Sequence, residues 1–256
     1  MTVMFIDLQG YTSISENLPP HDLIRMLNMF LGQMSDAIAD NKGVINDFLG
    51  DAVMAYWGPP FTSHDEQALL ACKAALDAVD NFEKFWSDVI AELGDKAVGL
   101  ELNMRVGISS GDMVAGNIGS VASRKYSVIL DPVNLGARLE GANKNYGTRI
   151  MMSQRTRDLA GPEIHVRELD LIRVKGKREP TRVFELLSSK TATDGFHTGL
   201  EAYRKQDWES AERAFKSCLS IAPNDPVPNV FLDQITHFKA QPPGSEWAGV
   251  WKFQTK

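Results

Sequence analysis

Apolar positions along this chain fall either into short continuous runs or into longer stretches with a helical period. Thr2-Val3-Met4-Phe5-Ile6 is a run of strand length that ends at Asp7. After Pro19-Pro20, Leu23, Met26, Leu27, Phe30, Met34 and Ile38 recur at the spacing of an amphipathic helix, which Gly43 stops. Val44 to Trp57 reads as two short strands folded back about Gly50-Asp51 and closed by Gly58-Pro59-Pro60. Leu69, Cys72, Leu76, Val79 and Phe82 mark one face of a second long helix, from about His64 to about Leu93. Leu102 to Ile108 and Met113 to Gly119, about the turn Ser109-Ser110-Gly111-Asp112, read as another hairpin. Tyr126 to Leu130 is a short strand. Asp131-Pro132 then opens a helix as N-cap and first-turn proline, with Leu135 and Leu139 facing inward and an end near Gly147. Further strands are expected at Thr148 to Met152, Ile164 to Val174 and Arg182 to Leu187.

This alternation predicts an α/β or α+β sandwich with one helix-covered sheet face. Composition changes at Ser188 to Gly195, the mark of a linker. Beyond it, Gly199, Tyr203, Trp208, Ala211, Phe215, Cys218 and Pro223 resemble a single tetratricopeptide-like helical pair. One such pair cannot bury its own apolar face, so it is expected to pack on the main domain or to cap a partner. The tail from Gln241-Pro242-Pro243-Gly244, with Trp247 and Trp251, carries no readable pattern.

The 256 residues, 43% hydrophobic and 23% charged, suffice for one medium domain plus an appendage. A net charge of −6 argues against a general nucleic-acid binder or an acidic-membrane binder. Cys72 and Cys218 both fall inside expected helices, which gives neither a disulfide framework nor a zinc site and fits a reducing, cytoplasmic compartment. No apolar run has the length to cross a bilayer. A core strand at the first residues leads us to expect a fragment whose upstream sensory or membrane region lies outside this sequence.

The candidate chemistry begins with carboxylates at strand ends. Asp51 sits at a hairpin tip, where a rigidly held acid gains nothing from burial. Asp7 is followed by Leu8-Gln9-Gly10-Tyr11-Thr12, a glycine-containing turn whose N–H groups can face an anion. Two acids on adjacent strands can hold one or two hard divalent cations. Taken singly, Asp7 would serve equally as a turn cap and Asp51 as a solvated hairpin residue. Asn134 and Arg138, four apart, share the helix face opposite Leu135 and Leu139. Lys175-Gly176-Lys177 follows a strand, where a lysine can meet a phosphate as a point charge.

Five blocks together resemble the class III nucleotide cyclase catalytic domain, in that family's order and spacing. They are Phe5-Ile6-Asp7-Leu8-Gln9-Gly10-Tyr11-Thr12, Phe48-Leu49-Gly50-Asp51-Ala52-Val53-Met54-Ala55, Arg105-Val106-Gly107-Ile108 with Gly111 and Gly116-Asn117-Ile118-Gly119, Val133-Asn134-Leu135-Gly136-Ala137-Arg138-Leu139-Glu140, and Val174-Lys175-Gly176-Lys177. The resemblance covers residues 1–187, leaving 188–195 as linker and 196–256 as the helical extension and irregular tail. It implies an α+β fold with a ferredoxin-like βαββαβ core, working as a head-to-tail homodimer with active sites at the interface. One protomer would supply the metal-binding Asp7 and Asp51, with backbone N–H groups around Gln9, Gly10, Tyr11 and Thr12 cradling the triphosphate. Its partner would supply Asn134 to orient the ribose, Arg138 to stabilise charge on the α-phosphate, and Lys175 for the triphosphate end. Two Mg²⁺ or Mn²⁺ ions per site and a GTP or ATP substrate are implied, with a 3′,5′-cyclic nucleotide and pyrophosphate as products.

At the two family positions that choose the purine, adenylate cyclases typically carry lysine and either aspartate or threonine. Here they hold Asp47 and Ser127. An ionised aspartate only accepts hydrogen bonds, which suits the N1–H and N2–H₂ donors of guanine, and Ser127 can donate to O6. Asp47 is a methylene shorter than the glutamate usual in guanylate cyclases, and Ser127 resembles the threonine of one adenylate cyclase subgroup. GTP is therefore placed first and ATP second. Leu130 stands where the family usually has glycine, a further departure. With both metal acids and the Asn134/Arg138 pair in one chain, an active enzyme is expected ahead of a catalytically silent regulatory or dimerisation module.

Overall fold

A computed structural model describes residues 1–97, 99–120, 122–173, 180–189, 194–244, 247 and 249–251. Its central strand, β1 (Thr2–Gln9), divides the molecule into two layers because successive side chains point to opposite faces. Met4, Ile6 and Leu8 enter one core, while Val3 and Phe5 enter another on the reverse side. A short helix, α1 (Tyr11–Ser15), leaves the turn at Gly10. Helix α2 (Pro20–Asp40) buries Met26, Phe30, Met34 and Ile38 on the Met4 face, with Pro20 in its first turn, where a missing N–H costs nothing.

The hairpin of β2 (Val44–Leu49) and β3 (Ala52–Trp57) follows, then α3 (Gln67–Leu93) packed beside α2. Strand β4 (Asn103–Ser110) returns antiparallel to β1, giving the order β4-β1-β3-β2. That is the expected βαββαβ core.

The hairpin expected between Leu102 and Gly119 does not form. β4 is paired on both edges, with β1 on one side and in parallel with β7 (Ile150–Ser153) on the other. No edge is left for a hairpin partner. β5 (Val114–Gly119) therefore leaves the sheet and pairs with β6 (Arg124–Ile129) as a separate two-stranded arm.

Helix α4 (Asp131–Ala142) packs on the Val3 face. Asp131 is its first residue rather than its N-cap. Leu130 takes the cap position at φ 109°, and its side chain makes no capping hydrogen bond. The helix stops at Ala142, before a 3₁₀ turn at Asn143–Asn145 and short of Gly147. Gly107 of β4 permits the close approach, since a Cβ there would lie 2.2 Å from both Gly136 O and Glu140 N. A seven-residue helix, α5 (Gln154–Ala160), was not legible in the sequence; Ser153 caps it by accepting from Thr156 N. Strands β8 (His165–Ile172) and β9 (Thr181–Leu187) extend the sheet.

The C-terminal segment holds three helices where a pair was expected, α6 (Asp194–Arg204), α7 (Trp208–Ile221) and α8 (Pro226–Ala240). They pack on the main domain. Phe196, Leu200, Phe215 and Phe231 share one core with Leu135, Leu139, Tyr146 and Val183, so helices cover both sheet faces, where one was expected. Arg167 of β8 ties Glu185 of β9, at 2.6 Å, to Asp225, the N-cap of α8. The tail is ordered by its aromatics. Trp247 packs on Tyr203, Trp208 and Phe238, and β10 (Val250–Trp251) adds in parallel to the edge of β8. Among the described residues, no helix is long and apolar enough to cross a membrane.

Candidate active site

Asp7 and Arg105 occupy directly paired positions of β1 and β4 and point to the α4 side of the sheet. Arg105 Nη2 donates to Asp7 Oδ2 at 2.7 Å. Its Nε lies 2.8 Å from Glu140 Oε1 of α4, an ion-pair contact whose direction is not that of a hydrogen bond. Burial, and secondly the charge of Asp7, push the Glu140 carboxyl up to about 7, with Arg105 working against both.

Asp51 lies in the β2–β3 turn, next to Ala52, which pairs with Asp7. Burial raises the Asp51 carboxyl above its ordinary range and the charge of Asp7 adds to the rise; a backbone hydrogen bond and Arg105 oppose it. An acid whose ionisation is disfavoured by burial and by a neighbouring carboxylate fits a divalent cation, whose charge offsets both. Among the described residues no group of three or more His, Cys, Asp or Glu is placed to hold a metal. Asp7 and Asp51 alone leave most positions of a hard cation to water and substrate oxygens.

The turn at Gln9 to Thr12 depends on Gly10. Its φ is 95°, and a Cβ there would stand 2.4 Å from Glu101 O. Because α1 begins at Tyr11, the N–H groups of Tyr11, Thr12 and Ser13 have no acceptor within the helix. A cavity of about 610 Å³ opens beside this turn, lined by Gln9, Gly10, Ser13, Asn17 and Asn103 among others.

Asn134 is exposed and Arg138 half-buried on the outward side of α4, with Leu135 and Leu139 buried beneath. Among the described residues no hydrogen bond or ion pair joins Asn134 or Arg138 to Asp7 or Asp51, and Arg138 has no carboxylate partner. Lys175 lies outside the described residues.

Asp47 follows a register shift in β2 that leaves Asn46 as the extra residue, a device that re-aims a side chain. Lys125 Nζ of β6 lies 2.5 Å from Asp47 Oδ2. Ser127 stands two residues along the same strand and so on the same face as Lys125. The three form one patch with an acceptor, an ammonium and a hydroxyl. Sequence reasoning missed Lys125, Arg105 and Glu140 as site residues. Arg105 and Glu140 stood inside quoted blocks, each a charge amid apolar neighbours that pack on the sheet, and that was the available signal. Exposed apolar side chains border both halves, with Phe48 and Leu49 beside Asp51, and Val114, Ile118, Tyr126, Ile129 and Leu130 along the arm.

The family described as "Adenylate and Guanylate cyclase catalytic domain" matches residues 1–187. The chain is 32% identical over 205 residues to adenylate cyclase 1 of Rhizobium meliloti (strain 1021), which covers 79% of this chain and 30% of that protein. It is 33% identical over 189 residues to an adenylate cyclase of Anabaena cylindrica, covering 73% and 36%. It thus spans only 30% and 36% of the length of these two curated relatives. Among solved structures, the adenylyl cyclase CyaB from P. aeruginosa matches with a TM-score of 0.68 at 29% identity, over 74% of this chain and 94% of that one. The guanylyl cyclase Cya2 matches with a TM-score of 0.64 at 31% identity, over 75% and 94%.

Proposed function

The chain belongs to the adenylate and guanylate cyclase catalytic domain family, and from that premise we propose that it converts a purine nucleoside triphosphate, GTP in the first place, to the 3′,5′-cyclic nucleotide and pyrophosphate. The observation that carries this reading is the adjacency of Asp7 and Asp51 at neighbouring strand ends, beside the Gly10 turn, whose following N–H groups have no acceptor within α1.

Asp7 and Asp51 would hold the divalent cations, two Mg²⁺ or Mn²⁺ per site. Bound there, such ions neutralise phosphate charge and lower the pKa of the ribose 3′-hydroxyl. Arg105 fixes the Asp7 carboxylate by its hydrogen bond, and the Gln9 to Thr12 backbone receives the triphosphate. A partner protomer brings Asn134 to the ribose and Arg138, which has no acid of its own among the described residues, to the α-phosphate; Lys175 takes the triphosphate end as a point charge. The 3′-oxygen attacks the α-phosphorus in line, the bond to the pyrophosphate oxygen breaks, and the hydroxyl proton leaves to solvent. No side chain is assigned as general base. A homodimer is supported by the apolar surface at Phe48, Leu49 and the arm, together with the lack, among the described residues, of a hydrogen bond or ion pair between Asn134 or Arg138 and the two acids. Two buried free thiols, Cys72 and Cys218, suit the reducing cytoplasm.

For the base, the Asp47 oxygen not held by Lys125 can accept from guanine N1–H or N2–H₂, and Ser127 can donate to O6. Lys125 favours a second reading, ATP, because its ammonium can donate to adenine N1 while Asp47 accepts from the 6-amino group. The deciding experiment gives purified protein equal GTP and ATP with Mg²⁺ or Mn²⁺ and resolves the products by mass. Predominant cyclic GMP upholds the first reading, and predominant cyclic AMP replaces it with the second. Neither product from a demonstrably dimeric sample would overturn both in favour of a catalytically silent regulatory module.

A further inference from the structure

We infer that the C-terminal helical module α6–α8 is a positioning element for α4, and so a working part of the half-site carrying Asn134 and Arg138, rather than an appended binding unit. The inference rests on the shared-site reading above. Asn134 and Arg138 occupy the outward side of α4. On the opposite side, Leu135 is 6% and Leu139 0% exposed, and both lie in the core that contains Phe196 and Phe231 of the module.

The link continues past the end of the helix. The 3₁₀ turn after α4 leads directly to Tyr146, which is fully buried, with its ring centre 6.5 Å from that of Phe231. Its hydroxyl donates to Asp170 of β8 at 2.8 Å. One residue on, a Cβ at Gly147 would meet Pro226, in the first turn of α8, at 2.8 Å. The α4 end of the site is therefore clamped between sheet and module.

The metal acids are tied to the module less directly, since Asp7 is linked to α4 through the Arg105 side chain, which also contacts Glu140. Asp7 is on β1 and Asp51 between β2 and β3, and the core beneath those strands is filled from α2 and α3 with no side chain of α6–α8. Catalysis by positioned charge decays steeply when the charge is displaced, so loosening the module should disable the α4 half-site and spare the metal half-site.

The shared site makes this one-sidedness measurable. Two differently tagged chains are co-purified as mixed dimers, one with Asp51→Ala and the other with Arg138→Ala. The single intact site then takes α4 from the first chain and the metal acids from the second. Phe231→Leu is placed on either chain. On the Asp51→Ala chain it should lower kcat by about tenfold while KM for the nucleotide moves by less than about twofold. On the Arg138→Ala chain the mixed dimer should stay within about twofold of its starting activity. Equal losses in both placements would reveal a general loss of stability and overturn the inference, as would no loss in either. If Phe231→Leu chains do not yield soluble dimers, Tyr146→Phe keeps the ring, removes only the hydroxyl, and should give the same one-sided pattern with a smaller loss. Folded mixed dimers without any module substitution that lack activity would instead overturn the shared-site reading itself.

Discussion

Arg105 Nη2 stands 2.7 Å from Asp7 Oδ2 across directly paired positions of β4 and β1, while the same guanidinium contacts Glu140. One planar cation thus serves an acid of the sheet and an acid of α4. A lysine cannot span both, because an ammonium is a point donor rather than a fork. Arg105→Lys should lower kcat by about 10²-fold through misplacement of Asp7. Steady-state kinetics across a metal titration checks this, and an unchanged kcat at saturating metal would refute it.

Asp47 and Lys125 make opposite demands on a purine edge, so their substitutions should move selectivity in opposite directions. Lys125→Gln frees the second Asp47 oxygen and should raise the ratio of cyclic GMP to cyclic AMP. Asp47→Lys should reverse it, each by about 1–3 kcal/mol of discrimination, the scale of a two-point base contact. Competition assays with both nucleotides read the ratio directly. A ratio indifferent to both changes would remove this patch from the base site.

Leu130 holds φ 109° and ψ −179°, a region open in practice to glycine, yet its side chain is 48% exposed and gains little from burial. Leu130→Gly should therefore stabilise the protein by about 1–3 kcal/mol. Denaturant midpoints at a constant slope decide the matter, and a lower midpoint would show that the leucine contributes more than its backbone costs.

Asp170 is fully buried, and that burial pushes its carboxyl up to about 7 even though Tyr146 and the Leu171 N–H donate to it. In the unfolded chain the same group titrates at about 4. The folded state therefore binds the proton more tightly. Its stabilising effect is complete below about pH 4 and is lost as pH rises towards and through 7, a swing of at most about 4 kcal/mol. Relative to Asp170→Asn, the native protein should lose stability between pH 5 and pH 8, on the order of the upper part of that swing. Paired denaturation curves at the two values test it, and parallel behaviour of the two proteins would count against a protonated Asp170.

The first strand, the β2–β3 hairpin and the two long helices were legible because they are written in local periods, such as the Met26 to Ile38 stripe for α2, while their assembly into a βαββαβ core followed from the family resemblance. Asp7 and Asp51 stood out as candidates because a carboxylate at the end of an apolar run has no packing reason to be there. The arm was not legible, because Ser109 to Asp112 has turn composition and only the long-range pairing of β4 with β1 and β7 forbids a hairpin. The Asp131-Pro132 signal found the helix but placed its cap one residue too late, at Asp131 instead of Leu130. Read in the same way, Asp225-Pro226 would have found α8, whose cap it does form. Lys125 stayed hidden because its meaning lies wholly in meeting Asp47 across two strands distant in sequence.

The short tail strand β10 lies along β8 at one margin of the eight-stranded sheet, and β2 forms the other. An unpaired margin is a template for further strands, and proteins that leave one open risk uncontrolled growth of the sheet. β10 covers only Leu171 and Ile172 of β8 and is too short to template much, whereas the six-residue β2 at the other margin bears Asp47 and the apolar hairpin tip at Phe48 and Leu49. Val250 and Trp251 thus blunt part of the sheet margin remote from Asp7 and Asp51.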